Sequence, residues 1–295
     1  MLSRTVNCTE QGDVQSTVLP RPISRDQIIH LGGKLAPAAL TLSRLRPLLA
    51  DPNTDLTEIV SLIRLDPALT FQVVRMSNSV LFGTHERNDT LEGAVGRVGF
   101  MEVYRLVGLA AMKQLCQRDL GTYRLRAARL WENSVATAAA AEVLALPAGA
   151  DAGLSYASGL LRNLGAVIID TYSPGKVYPG EAEWPLVSEW EKAVFGVTSA
   201  DVTATLLAHW RFPSDVVDAV RAQYDPFADP SSNLSACVLN LACGVAAGFG
   251  LGLPGEARHW IRTEAKLQLG GMTDAVVERC SENAKAHYIA LCASV

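Results

Sequence analysis

Histidine is the natural starting point for acid–base or metal chemistry, and this chain has five: His30, His85, His209, His259 and His287. No two stand at i,i+3 or i,i+4, so no helix presents a pair of imidazoles to one ion. Each alone reads as a surface or interface residue. His209, beside Trp210 near a helix end, is the better candidate for a role. Nucleophilic chemistry is not signalled either. There is no Gly-x-Ser-x-Gly turn, and the six cysteines, at 8, 116, 237, 243, 280 and 292, form no Cys-x-x-Cys pair. The Gly-rich piece at 244–255 has neither the strand nor the acidic ribose partner of a dinucleotide site, so it reads as helix packing.

Two stretches stand out. The run from Asp66 to Ser79 opens with Asp as N-cap and Pro67 at the first helical position, and ends on Asn78 and Ser79. Those two side chains either satisfy the last carbonyls of their helix or form a recognition surface. The second stretch is Leu130 to Ser134, with Trp131 in it, taken together with Gly159 to Gly165. Basic residues also gather at Arg97, Arg105, Lys113, Arg118, Arg124, Arg126 and Arg129, opposed only by Glu102 and Asp119. Such a run is either a solvated face or a patch for phosphate or an acidic partner. Arg124, Arg126 and Arg129, with Tyr123 among them, make a candidate partner-binding surface, because Arg and Tyr combine apolar area with directional donors.

These residues need helices to hold them. Asp55 and Glu58, then Asp89 and Glu92, have capping-box spacing. Apolar residues follow at helical intervals, as in Leu56, Ile59, Val60 and Ile63. Further helices fit at about 101–117, 122–146, 156–170, 186–194, 198–210, 213–224, 232–250 and 272–291. The run Ala138–Ala141 and the glycines at 159 and 165 allow close helix contact. No period-2 strand and no fixed repeat is found. The expected fold is therefore all-α, a two-lobed helical bundle. A composition break near Gly121 divides it: a flexible tail over 1–18, an N-terminal lobe over 19–120, a second lobe over 121–228, and C-terminal helices over 229–295 completing the second lobe.

Composition narrows the classes. Hydrophobic residues make up 49% and charged residues 19%, enough for a large core. A net charge of −4 and a pI near 5.8 give no reason to expect general nucleic-acid binding. The uncharged run Leu234–Gly255 is long enough for a bilayer, but its glycines and Pro254 favour a buried helix. With no secretory leader and no cysteine framework, a cytoplasmic protein is expected.

Five elements together resemble the HDOD domain family, relatives of the HD metal phosphohydrolases. They are Asp66-Pro67, Leu69, Val74-Arg75, Asn78-Ser79 and Gly83; Ala94-Val95, Val98 and Gly99; Leu130-Trp131 and Ser134; Gly159-Leu160-Leu161 and Gly165; and Leu206-Leu207, Trp210 and Phe212-Pro213. They run in order over roughly residues 20–225. The resemblance implies that the second lobe is HD-like. It also implies where metal ligands would stand: Asn133 for the first His, Arg162-Asn163 for the His-Asp pair, and about Cys243 for the last Asp. All four ligand types are gone, and a guanidinium repels a divalent cation. Two further positions, often His in the family, fall at Ser199 and about Gln223-Tyr224.

The resemblance thus implies a non-catalytic signalling module of bacterial type, with no metal and no cofactor. It would act on protein partners such as a sensor kinase or another regulator. Arg162 then plugs the vacated pocket by pairing with an acid, or serves as a phosphate ligand. The alternative function is a sensor of a cyclic dinucleotide, bound near Arg162 or the basic run 97–129. A residual phosphohydrolase ranks last, because no metal would activate water.

Overall fold

The computed structural model describes residues 22–33, 35–51, 53–78, 89–228 and 234–294. Ser79, Gly83 and His85 lie outside them. Among the described residues every regular element is helical, and Leu120 and Leu125 form an isolated bridge. The all-α expectation is borne out.

The first half comprises α1 (Arg25–Gly32), α2 (Ala36–Ala50), α3 (Leu56–Ile63), α4 (Pro67–Ser77), α5 (Leu91–Val98) and α6 (Phe100–Leu115). Capping chemistry sets these boundaries. Asp66 Oδ1 accepts from the Leu69 N–H at 3.0 Å, with Pro67 at the first position. Asp55 caps α3 through Thr57 N–H. The cap of α5 is Thr90, which accepts from Gly93, one residue later than the Asp89 start expected from the capping-box spacing. At the end of α4, Asn78 Nδ2 donates to the Val74 carbonyl at 2.9 Å, the closing role that a helix end asks of it.

The second half comprises α7 (Ala127–Ala148), α8 (Ala152–Leu161), α9 (Leu164–Tyr172), α10 (Val187–Phe195), α11 (Ser199–His209), α12 (Ser214–Arg221), α13 (Leu234–Ala246), α14 (Glu264–Leu269) and α15 (Asp274–Ala293). Three of its boundaries differ from the periodicity. The helix expected from 122 starts at Ala127, because Leu120 and Leu125 pair backbone to backbone and Arg124 takes a left-handed conformation between them. Asp119 supplies the cap from eight residues upstream, accepting from Ala127 N–H at 2.8 Å. The continuous helix expected over 156–170 is broken at Arg162-Asn163 into α8 and α9. Thr203 Oγ1 holds the break, donating to the Arg162 carbonyl and accepting from Gly165 N–H. The helix expected over 232–250 ends as α-helix at Ala246, and a wider turn over Ala247–Leu251 follows, with Gly250 at φ 78°.

The larger of two apolar clusters among the described residues runs from Ile23 through both halves to Leu291, and the smaller lies among α7, α13, α14 and α15. Helix α1 packs on α9 and α11, so its sequence neighbours lie in the first half and its packing neighbours in the second. The segments 152–172 and 234–251 are long and apolar enough to cross a membrane, by length and composition. In the fold both pack beside α7. The alanines at 138–141 are fully buried there, and a Cβ on Gly159 would come within 2.7 Å of the Thr137 carbonyl. A Cβ on Gly165 would lie 1.9 Å from the Ser199 carbonyl.

That contact is backbone, which cannot step aside. Gly165→Ala is expected to destabilise the protein by about 3 kcal/mol or more. Gly96→Ala, in the open on α5, is expected to stabilise it by about 1 kcal/mol. Paired thermal melts check both.

Candidate functional site

Asn133 projects from the middle of α7, Arg162 and Asn163 sit at the break between α8 and α9, and Cys243 lies on α13. All four are buried, and the fold brings the first three into one hydrogen-bonded group. Asn133 Oδ1 accepts from Arg162 Nη2 at 2.9 Å and from Asn163 Nδ2 at 3.0 Å. Asn163 Nδ2 also donates to Ser134 Oγ. Cys243 is buried beside Arg162, and burial pushes its thiol up to about 12. It stays a neutral thiol.

Arg162 is the largest fully buried side chain among the described residues, 1% exposed. Its counterion is Glu256. The two form a fork: Nη1 to Oε1 at 3.1 Å and Nη2 to Oε2 at 2.8 Å. Gln223 Oε1 takes the remaining Nη1 hydrogen at 3.0 Å, and the Trp260 ring lies 5.3 Å from the guanidinium carbon. Four of the five N–H donors are thus used, and only Nε lacks a partner among the described residues. Ring contact and paired charge together offset the cost of taking a cation out of water. The plug reading fits this geometry. A phosphate-ligand role for Arg162 does not, because no donor points outward.

Glu256 carries no pattern of its own in the sequence. It follows Pro254-Gly255 on the loop after α13, in the stretch that reads as packing. Gly255 is left-handed, at φ 73°, where a Cβ would strike Tyr178 and Val187. Helix α7 also grips the loop's approach: Asn133 Nδ2 donates to the Leu251 carbonyl and Arg129 Nη1 to the Gly250 carbonyl. An unmatched arginine at position 162 was the one signal that some acid had to be near.

A second buried carboxyl, Glu191 of α10, stands next to this group. It accepts from Tyr123 OH and from Ser199 N–H, both at 2.7 Å. Tyr224, whose ring stacks on Trp260, links the two carboxylates through Ser199: its OH donates to Glu256 and meets Ser199 Oγ. A cavity of about 20 Å³, enough for one water, lies between Asn163, Glu191, Ser199, Tyr224 and Glu256. Burial lifts the Glu191 carboxyl from an ordinary 4.5 to about 7, against its two hydrogen bonds, with Glu256 adding to the rise.

The other candidates are scattered. Tyr123 is buried and bonded inward, so it cannot add aromatic area to a basic surface as its neighbours in sequence suggest. Arg105 is committed to Glu102 and Glu142, and Arg118 lies 3.4 Å from Asp170. Arg129 braces the Gly250 turn, while Arg124 and Arg126 are exposed. Trp131 is half-buried, its indole N–H without a partner among the described residues. Asp66 and Asn78 cap opposite ends of α4. His287 bonds Glu142 and His259 bonds Ser188, both at 2.9 Å.

No three His, Cys, Asp or Glu side chains among the described residues are placed to hold one metal ion. At the position where the HD-type ligands would converge stand two amides, a neutral thiol and a guanidinium already saturated by a carboxylate. That donor set does not fit a divalent cation.

Compared with known families, the sequence matches the HDOD domain over residues 35–226, more than half of the chain. A curated relative, an uncharacterized protein of Treponema pallidum (strain Nichols), is 28% identical over 181 residues, 59% of this chain and 34% of its own length. The chain therefore spans about a third of that relative. An HDOD domain protein with unknown function from Geobacter sulfurreducens superposes with TM-score 0.61 at 20% identity, covering 92% of each chain. A protein provisionally named a signal transduction protein, from Marinobacter aquaeolei VT8, gives 0.67 at 24% identity over 86% of this chain and 57% of its own. One provisionally named a phosphohydrolase, from Shewanella amazonensis SB2B, gives 0.66 at 20% over 91% and 97%. These likenesses show the fold.

Two outcomes follow from the geometry. Arg162→Ala leaves Glu256 buried without its counter-charge and is expected to cost about 3–5 kcal/mol, while Arg162→Met with Glu256→Leu is expected to recover most of it. Denaturant titration of the three proteins measures this. Glu191 sets a pH dependence: its folded value, about 7, lies above the ordinary 4.5, so the folded state binds more protons between them. Its contribution to stability falls as pH rises from 4.5 to 7 and is flat above, on the order of 3 kcal/mol in all. Glu191→Gln is expected to flatten that slope and to raise the melting temperature at pH 8.

Proposed function

Because the chain belongs to the HDOD domain family and carries a guanidinium–carboxylate pair at the HD metal position, we propose that it is a non-catalytic regulatory module acting through protein partners. The single observation that carries this reading is the fork between Arg162 and Glu256. Hydrolysis by an HD-type site needs a metal to lower the pKa of bound water, and a fixed cation with four of its five N–H donors held by protein groups can neither activate water in that way nor position a phosphate. Tyr224 and the Cys243 thiol, both held neutral by burial, offer no base in its place.

A protein without such chemistry works through its surface. Arg124 and Arg126 are exposed, as are Arg97, Lys113 and Arg118 of the same run, and neither Arg124 nor Arg126 has an ion pair among the described residues, which leaves these two available to an acidic partner; Arg129 would contribute by holding the adjoining turn. Five free thiols among the described residues suit a reducing compartment, in keeping with a cytoplasmic regulator.

The test has two arms. Purified protein incubated with Mg²⁺, Mn²⁺, Fe²⁺ or Ni²⁺ and then desalted is expected to retain no stoichiometric metal by elemental analysis. It is also expected not to hydrolyse bis(p-nitrophenyl) phosphate above the metal-only rate. Metal-dependent turnover would overturn the reading. In the second arm, Arg124→Ala with Arg126→Ala is expected to weaken a co-purifying partner by about 2 kcal/mol, measured by calorimetry, with the helical circular dichroism unchanged.

A further inference from the structure

A pocket of about 500 Å³ opens between α2 and the end of α11, where the first half of the chain meets the second. Leu40, Ser43, Arg44 and Pro47 form one wall; His209, Trp210 and Arg211 form the other. The volume is that of a small-ligand site. Its polar lining has one sign: two arginines and a histidine, and no carboxylate among the described residues that line it.

The contrast with neighbouring arginines is direct. Arg46, two residues after Arg44, pairs with Asp151 at 2.6 Å. Arg44 and Arg211 have no ion pair and no side-chain hydrogen bond among the described residues. Two arginines on facing walls of one pocket, with no carboxylate lining it, offer an anion donors from both halves of the fold.

Arg211 carries a second oddity. Its backbone is left-handed, at φ 61°, and it ends α11 with two reverse bonds: Phe212 N–H to the Leu207 carbonyl at 3.0 Å, and Arg211 N–H to the Ala208 carbonyl at 3.1 Å. This is a Schellman ending, whose left-handed position is normally glycine. A cation after the last turn of α11 complements the helix dipole, which accounts for a basic residue there. It accounts neither for Arg44 on the opposite wall nor for a strained arginine where lysine or arginine one residue earlier would serve the dipole without strain.

We infer that this interlobe pocket binds a small organic phosphate, its phosphate held between Arg44 and Arg211 and its apolar body against Leu40, Pro47 and Trp210. Arginine offers a planar pair of donors that matches phosphate oxygens. His209 adds an N–H donor in either protonation state. Because the walls come from both halves, the ligand bridges them. The inference does not rest on the absence of catalysis at Arg162, and either reading can fail alone.

The probes are inorganic pyrophosphate and ADP, titrated by calorimetry into the full chain at low salt. ADP is expected to bind more tightly than pyrophosphate, because only ADP fills the apolar wall. Arg44→Gln with Arg211→Gly is expected to weaken ADP at least about tenfold, the scale of one lost charge-assisted contact. Arg279→Gln with Lys285→Gln, a loss of equal charge from exposed positions on α15, is expected to leave it unchanged. Arg211→Gly alone relaxes the backbone and is expected to raise the melting temperature by about 2–4 °C while weakening ADP. Binding of neither probe at about 1 mM, where specific binding fades, would overturn the proposal. So would equal affinity in the Arg44/Arg211 variant, or a lower melting temperature for Arg211→Gly.

Discussion

A positive charge in the middle of a helical core is the constraint that the rest of this structure answers to. An isolated guanidinium there costs several kcal/mol, so everything around Arg162 supplies negative charge, acceptors or ring face. The suppliers come from separate parts of the chain: Asn133 from α7, Gln223 from beyond α12, Glu256 from the loop after α13, Trp260 a few residues on. None of these elements can shift alone without leaving a buried donor or a buried charge unmatched. The break between α8 and α9 serves the same end. A straight helix through 162 and 163 would not turn both side chains toward Asn133, and Thr203 makes the break tolerable by serving both backbone groups it frees.

Around that centre, buried charge is sorted so that little is left over. Glu256 stays with Arg162. Glu191, with no cation in contact, moves toward its protonated form instead, held by Tyr123 and the Ser199 N–H. A third buried acid, Glu142, is shared by Arg105 and His287, which ties α6 and α15 to α7. Small residues fill the space between: Gly159 of α8 lies against Thr137 and Ala138 of α7, and Gly165 lies against the first turn of α11. Polar groups therefore meet at distances that larger side chains would prevent.

Most of the architecture was legible from local signals. Caps at Asp55 and Asp66, the helical spacing of apolar residues and the small-residue runs are properties of short windows, and they place most helices within a few residues. What short windows could not carry was anything decided at long range. The start of α7 depends on Asp119, the α8–α9 break on Thr203, and the identity of the counterion on Glu256, which lies 94 residues from Arg162. Sequence position shows that Asn133, Arg162, Asn163 and Cys243 are unfit for a metal. It does not show which acid answers the arginine. Tyr123 is the opposite case: next to exposed arginines in sequence, it reads as surface, but the left-handed turn at Arg124 rotates it into the core.

The central cation of this fold is covalently part of the chain. A metal-centred relative depends on supply: its core ion must be acquired, can be stripped by a competing chelator, and can be replaced by the wrong element. Here each newly synthesised copy carries its own cation at a fixed ratio of one, and the ion cannot diffuse away. The packing around Arg162 therefore needs no ion from outside the chain.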